Sequence, residues 1–262
     1  MIPFDEFRAE EAQKLRFLLC DIDDTITEKG KLPAASYDAL WRIHDAGIHV
    51  IPVTGRPAGW CDMIVREWPV RAVVGENGAF VYYFEDGHLQ TWTHPSTVPN
   101  PRERLAVVRD AVLREIPGCR IAKDQFSRIY DLAVDFREDP PYLSFEDADR
   151  IKAVCERFGC VAKVSSIHVN AWFGDYSKVE TAERFLRERL ELRDLDEAIF
   201  FGDSPNDEPM FRRFPISCGV ANIRDFEASV AYLPAYVTQE RSAVGFAQAC
   251  TRILHLRGIA EC

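Results

Sequence analysis

The chain has 262 residues, 47% hydrophobic and 28% charged, a balance that excludes collagen-like, low-complexity and wholly disordered proteins and leaves room for one large or two ordinary domains. Its 32 Lys and Arg against 42 Asp and Glu give a net charge of −10, which argues against a nucleic-acid binder or a protein of anionic membrane surfaces. Screening over about 8 Å at physiological salt lets a local cation cluster or a bound metal override that charge, so a phosphate-handling enzyme stays open.

Met1 to Leu15 lacks the basic stretch and apolar run of a signal peptide, and no segment approaches the length of a membrane span. The eight cysteines form no CxxC and no cluster with His, so reduced and mostly buried thiols in a cytoplasmic protein are expected. Phe17 to Cys20 reads as a short apolar strand, Ser36 to Ala46 as a helix with Tyr37, Leu40, Trp41 and Ile43 near helical spacing, and His49 to Val53 as the next strand. Ala72 to Val74 makes a third strand. Phe80 to Phe84 and Leu89 to Trp92, joined across Glu85-Asp86-Gly87, predict a hairpin.

The rhythm then changes. A helix near Arg102 to Glu115, a strand from Arg128 to Phe136, a helix from Phe145 to Phe158 and a strand from Val161 to Phe173 suit an α+β unit. Strand and helix alternate again afterwards, with strands at Ala198 to Phe201 and Ile216 to Val220 and a terminal helix from Ala243 to Leu256. The expected fold class is therefore α/β, a doubly wound and mostly parallel Rossmann-like sheet. Residues 1–93 and 175–262 form its core, and 94–174 form an inserted α+β cap domain.

Asp21, Asp23, Asp24 and Thr25 follow the first strand, at the carboxyl end where open α/β sheets bind ligands. Alternation sends Asp21 and Asp23 to one side about 7 Å apart, a repulsive pair that a divalent cation would relieve. Asp203, Asn206 and Asp207 repeat the arrangement after Ala198 to Phe201, with Pro209 marking the start of a helix. An acidic turn that ends a strand, or a carboxylate that only favours a helix N-terminus, would account for the same residues. Thr54 and Gly55 offer a hydroxyl and a backbone amide at another strand exit. Ser177 and Glu180 have the spacing of a capping box, which makes Lys178 the first residue of a helix, a position best explained by a nearby anion.

In order, DIDDT, VTGRP, the Lys178 helix and GDSPNDEPMF resemble the four motifs of the haloacid dehalogenase superfamily of phosphotransferases. The insert, with Gly75-Glu76-Asn77-Gly78-Ala79 before the hairpin, resembles its Cof-type branch (cap class C2, subfamily IIB). Asp24 and Val179 stand where many relatives have Gly. The resemblance implies that Asp21 is a nucleophile forming an aspartyl-phosphate and that Asp23 is the general acid and base. It also implies that Mg²⁺ is held by Asp21, the Asp23 carbonyl, Asp203 and Asp207, and that Thr54, Gly55 and Lys178 hold the phosphoryl oxygens.

The implied activity is a magnesium-dependent phosphatase acting on a small phosphorylated metabolite, with sugar phosphates the leading class. A phosphomutase of the same superfamily and a phosphoaspartyl signalling module are the alternatives. Arg56, Asn77, His168, Asn170 and Asn206 are candidate substrate contacts, His168 and Asn170 because they alternate with the apolar residues Ile167 to Phe173 on a face turned either to the site or to solvent. Arg56, Lys123, Arg128 and Arg137 are candidates for a second anionic group. Nothing in the residues sets the oligomeric state.

Overall fold

A computed structural model of the chain describes residues 1–165 and 167–259. Cys262, the last of the expected buried thiols, lies outside the described residues; the other seven cysteines are free and buried. No helix among the described residues is long and apolar enough to cross a membrane.

The expected α/β class is what the chain forms. Its main sheet runs Ile2–Pro3, Tyr236–Val237, Ile216–Gly219, Ala198–Gly202, Phe17–Cys20 and His49–Pro52, every neighbouring pair parallel. A bridge between Val53 and Val74 carries the parallel order on to Ala72–Gly75. All four residues of Phe17–Cys20 are buried, as a strand covered on both faces requires. Leu18 and Cys20 point into a layer with the helices Ala34–Asp45, Ala58–Glu67 and Ser242–Leu256. Phe17 and Leu19 point the opposite way, against Lys178–Arg189 and Glu208–Arg213. Each fully buried Leu or Phe of these layers contributes about 1.5–3 kcal/mol through removal from water.

The expected hairpin forms as Phe80–Glu85 with His88–Thr93, and Asp86 (φ 51°) and Gly87 (φ 76°) make the left-handed turn that two-residue hairpins favour. The N-terminal segment, which carries no periodic signal, contributes the edge strand Ile2–Pro3 and the helix Ala9–Lys14. Their anchors are aromatic: Phe4 and Phe7 stack on each other and meet Tyr236 edge-on.

The middle of the chain forms a four-stranded antiparallel sheet in the order Arg120–Ile121, Asp131–Asp135, His168–Trp172, Val161–Val164. The helices Pro101–Glu115 and Phe145–Arg157 cover one face, meeting Leu132, Val134, Ala162, Val169 and Ala171. Two expectations are corrected here. The strand expected from Val161 to Phe173 is two antiparallel strands, because Ser165 closes a turn by accepting the His168 N–H and donating its hydroxyl to the His168 carbonyl. The strand expected from Arg128 begins only at Asp131, since Gln125–Ser127 is a 3₁₀ turn. The opposite face carries Asp131, Asp135, Lys163, His168, Asn170 and Trp172, and Trp172 reaches the core, where it stacks on Tyr176.

One glycine sets where the Lys178 helix begins. Gly78 sits at φ +107°, and a Cβ there would lie 2.4 Å from the Ser177 carbonyl oxygen, while its own carbonyl accepts the Thr181 hydroxyl at 2.6 Å. Gly78→Ala therefore combines a strained backbone with a clash against the start of the helix, and a loss of about 2–4 kcal/mol is expected. At this chain length that corresponds to a fall in Tm of about 4–12 °C, to be checked by thermal denaturation. A midpoint within a degree of the parent would show that the loop relaxes freely.

Candidate active site

Three loops converge at the carboxyl ends of the central parallel strands. Asp21 follows Phe17–Cys20, Thr54 follows His49–Pro52, and Asp203 follows Ala198–Gly202. Parallel register brings these strand ends level, which is why residues far apart in sequence meet there. Asp21, Thr54, Asp203 and Asp207 are all buried.

Asp21, Asp203 and Asp207 each offer an oxygen within 4.8 Å of the others. The Asp207 carboxylate is held by the Asp203 and Ser204 amides at 2.9 and 3.4 Å, and it occupies the space that a Cβ on Gly202 would fill. Its other oxygen, Oδ1, is buried without a hydrogen-bond partner. Burial, with the charges of Asp207 and Asp21, pushes Asp203 up to about 8, and burial with the charge of Asp21 pushes Asp207 up to about 7. Burial likewise raises Asp21, against the lowering pull of Lys178. An orphaned oxygen in a nest of mutually repelling carboxylates fits a hard, oxygen-preferring divalent cation such as Mg²⁺.

The helix Lys178–Arg189 starts where expected, with Ser177 Oγ accepting the Glu180 amide at 3.3 Å. The reciprocal half of the capping box is missing, because Glu180 turns to His94. Lys178 Nζ lies 2.7 Å from Asp21 Oδ1. Burial works against its charge, but Asp21 and Asp207 outweigh it and hold the ammonium well above the usual lysine range. The Thr54 hydroxyl accepts the Arg56 amide at 3.1 Å, which leaves its proton free for another acceptor. Asn206 is exposed at the rim, where its Oδ1 accepts the Ser204 hydroxyl at 2.9 Å.

Asp23 departs from the simple alternation. Its side chain is 58% exposed and turned to the fork of Arg56, with contacts of 2.6 and 3.2 Å. The Arg56 guanidinium lies 4.6 Å from the Trp60 ring centre, so it is clamped between a carboxylate and an indole. The carboxylate cluster is thus Asp21, Asp203 and Asp207, with Asp23 at its mouth.

The four-stranded antiparallel unit, expected from the sequence to be a cap, meets this mouth through Asp131. Asn77 and Asn170 donate to Asp131 Oδ2 at 3.2 and 3.0 Å, and Arg128 donates to both of its oxygens and to the Gly55 carbonyl at 3.0 Å. Glu76, in the same loop as Asn77, accepts the amides of Ile129, Tyr130 and Asp131 from the cap and that of Ala58 from the core. Burial and the charge of Asp131 push Glu76 up to about 7. Sequence reasoning missed both carboxylates, and only the Glu76-Asn77 pair in a Gly-flanked loop signalled them.

His168 makes no contact with the Asp21 cluster among the described hydrogen bonds and ion pairs. It pairs with Glu138 at 3.0 Å beside Asp135, itself paired with Arg120 at 3.0 Å, so this second group of ligand-type residues is already satisfied internally. The three other cations expected there as anion contacts are committed as well. Arg128 is buried against Asp124 and Asp131, Lys123 pairs with Asp139, and Arg137 packs on Tyr142 and Phe145.

Residues 18–96, which include DIDDT, VTGRP and the Glu76-Asn77 loop, match the family model of haloacid dehalogenase-like hydrolases. No curated protein matches the sequence. A solved structure from Thermoplasma acidophilum shares the fold with a TM-score of 0.73 at 20% identity, over 92% of this chain and 99% of its own. A haloacid dehalogenase-like hydrolase from Bacteroides thetaiotaomicron does so at 0.71 and 16% identity, over 91% and 99%. A subclass IIB sugar phosphatase of the same superfamily does so at 0.64 and 16% identity, over 94% and 100%. Residues 18–96 are thus similar in sequence to haloacid dehalogenase-like hydrolases, and nearly the whole chain is similar in fold to these solved structures.

Proposed function

We propose that the chain is a magnesium-dependent phosphomonoester hydrolase acting on a small phosphorylated metabolite of the sugar-phosphate type through an aspartyl-phosphate. Residues 94–174 serve as its cap and the remainder as its catalytic core. The observation that carries this reading is the buried Asp21 carboxylate, set among Asp203 and Asp207 and 2.7 Å from Lys178, at the carboxyl ends of parallel strands. The likeness to a subclass IIB sugar phosphatase supports the substrate type. Seven free, buried thiols suit the reducing cytoplasm.

In the first step an Asp21 oxygen attacks phosphorus as the ester P–O bond breaks, and the departing alkoxide takes a proton from Asp23. Asp23 reaches that oxygen by swinging from Arg56, and its exposure leaves room for the movement. In the second step Asp23 accepts a proton from water, whose oxygen attacks the aspartyl-phosphate and restores Asp21. Lys178, beside Asp21, and the Thr54 hydroxyl, whose proton is not spent on Arg56, would hold the phosphoryl oxygens, where negative charge accumulates. Asp21, Asp203, Asp207 and the Asp23 carbonyl would hold Mg²⁺, which supplies neutralising charge for the carboxylates and the phosphoryl group.

The activity test is release of inorganic phosphate from p-nitrophenyl phosphate and a panel of sugar phosphates. Turnover should require Mg²⁺, vanish with EDTA and return with excess metal; hydrolysis indifferent to EDTA would overturn the metal assignment. A metal-only measurement comes from stability. Asp203 and Asp207 have folded pKa values near 8 and 7 against an ordinary 3.8, so the metal-free native state binds more protons than the unfolded chain between those limits. Its stability therefore falls as pH rises from about 4 to 8. Mg²⁺ should raise the Tm by several degrees at pH 8 and by much less at pH 5. An equal shift at both pH values would show that the ion binds elsewhere.

A further inference from the structure

Four cations of the 94–174 segment have no carboxylate partner among the described residues; Arg102 is held by the Arg128 carbonyl and Arg104 and Arg137 by aromatic rings, which leaves Lys163. Lys163 lies directly opposite Asn170 in the antiparallel pair of Val161–Val164 with His168–Trp172, so their side chains leave the sheet on the same face. That face is the one opposite the helices, turned toward the parallel-sheet unit at Trp172 and Asn170. Asn170 reaches down from it to Asp131, which also receives Asn77 of the core loop, so the surface around Lys163 looks onto the mouth of the site. Lys163 is solvent-accessible, and no carboxylate among the described residues pairs with it. The surrounding protein, followed by the nearby charge of Lys178, holds its pKa below the usual lysine range. An exposed lysine set beside Asn170, with no carboxylate partner among the described residues, is arranged to receive an anion.

We propose that Lys163 forms a second anion subsite above the Asp21 and Lys178 pair, and that the ester cleaved there carries a further anionic group, a carboxylate or a second phosphate, on its alcohol side. The proposal rests on the phosphomonoesterase reading and narrows its substrate class to phosphorylated sugar acids, hydroxy acids and bisphosphates. Lys178 takes the phosphoryl group being transferred, and Lys163, from the cap, takes the charge that stays with the alcohol. An ester with a neutral alcohol fills only the first subsite and leaves the cap ammonium unmatched, so discrimination resides in the cap.

Two substrate pairs test this, each differing by one anionic group: 3-phosphoglycerate against glycerol 3-phosphate, and fructose 1,6-bisphosphate against fructose 6-phosphate. The parent should favour the more anionic member of at least one pair by tenfold or more in kcat/KM, mainly through KM. The pair that shows the preference tells carboxylate from phosphate. Lys163→Gln should erase the preference, and Lys163→Arg should retain part of it. Equal kcat/KM within both pairs, or a preference unchanged by Lys163→Gln, overturns the subsite. If no phosphomonoester is hydrolysed at all, the phosphatase reading falls, and calorimetry with Asp21→Asn reads the subsite on its own. There, a tenfold tighter Kd for the more anionic ligand, lost in Asp21→Asn with Lys163→Gln, upholds it; equal Kd values overturn it.

Discussion

Asp21→Asn is expected to cut turnover by about 10⁴-fold or more while leaving the chain folded, because the amide removes the nucleophile from the proposed mechanism, in which Asp21 is phosphorylated and restored in every cycle. The substitution is nearly isosteric. It also relieves repulsion, since Asp21 stands within 4.8 Å of Asp203 and Asp207 and its charge helps raise both. The variant should melt cooperatively at or above the parent Tm in the absence of metal, so lost activity with retained stability is the diagnostic pair. Steady-state phosphate release and a thermal melt read the two quantities. Activity within tenfold of the parent would remove Asp21 from the nucleophile's role.

Lys178→Met should cost about 10²–10³ in kcat/KM, the range typical of removing one preorganised charge aimed at an acyl or phosphoryl oxygen. It keeps an unbranched side chain of similar length and deletes the ammonium 2.7 Å from Asp21. Unlike Asp21→Asn it removes a cation from a nest of carboxylates. The metal-free variant should therefore be less stable than the parent above pH 7, with the deficit narrowing in saturating Mg²⁺. Lys178→Arg should recover charge but not geometry, giving intermediate activity. A Lys178→Met enzyme of parental kcat/KM would mean that the helix terminus and metal suffice to hold the phosphoryl group.

Much of this was legible because the candidate site is built from short loops directly after strands that announce themselves. Phe17–Cys20 and Ala198–Gly202 are apolar runs stopped by Asp, and parallel pairing places those stops together. The Ser177 cap fixed the position of Lys178 in the same way. The losses are tertiary in origin. No local pattern tells that Asp23 turns to Arg56, that His168 is spent on Glu138, or that Arg128 is spent on Asp124 and Asp131, since each depends on a partner supplied by the fold. Lys163 was hidden for a further reason. Reading Val161 to Phe173 as one strand conceals the register that sets Lys163 opposite Asn170.

Glu76 has a mechanical consequence. Cap and core are joined covalently by two chain crossings, yet a single core carboxylate gathers three successive cap amides, at Ile129, Tyr130 and Asp131, and one core amide at Ala58. Lifting the cap straight away would strand all of these donors together with a buried acid, a penalty of several kcal/mol. Tilting about that point leaves them intact. If residues 94–174 act as a lid, Glu76 is the pivot about which that lid would tilt.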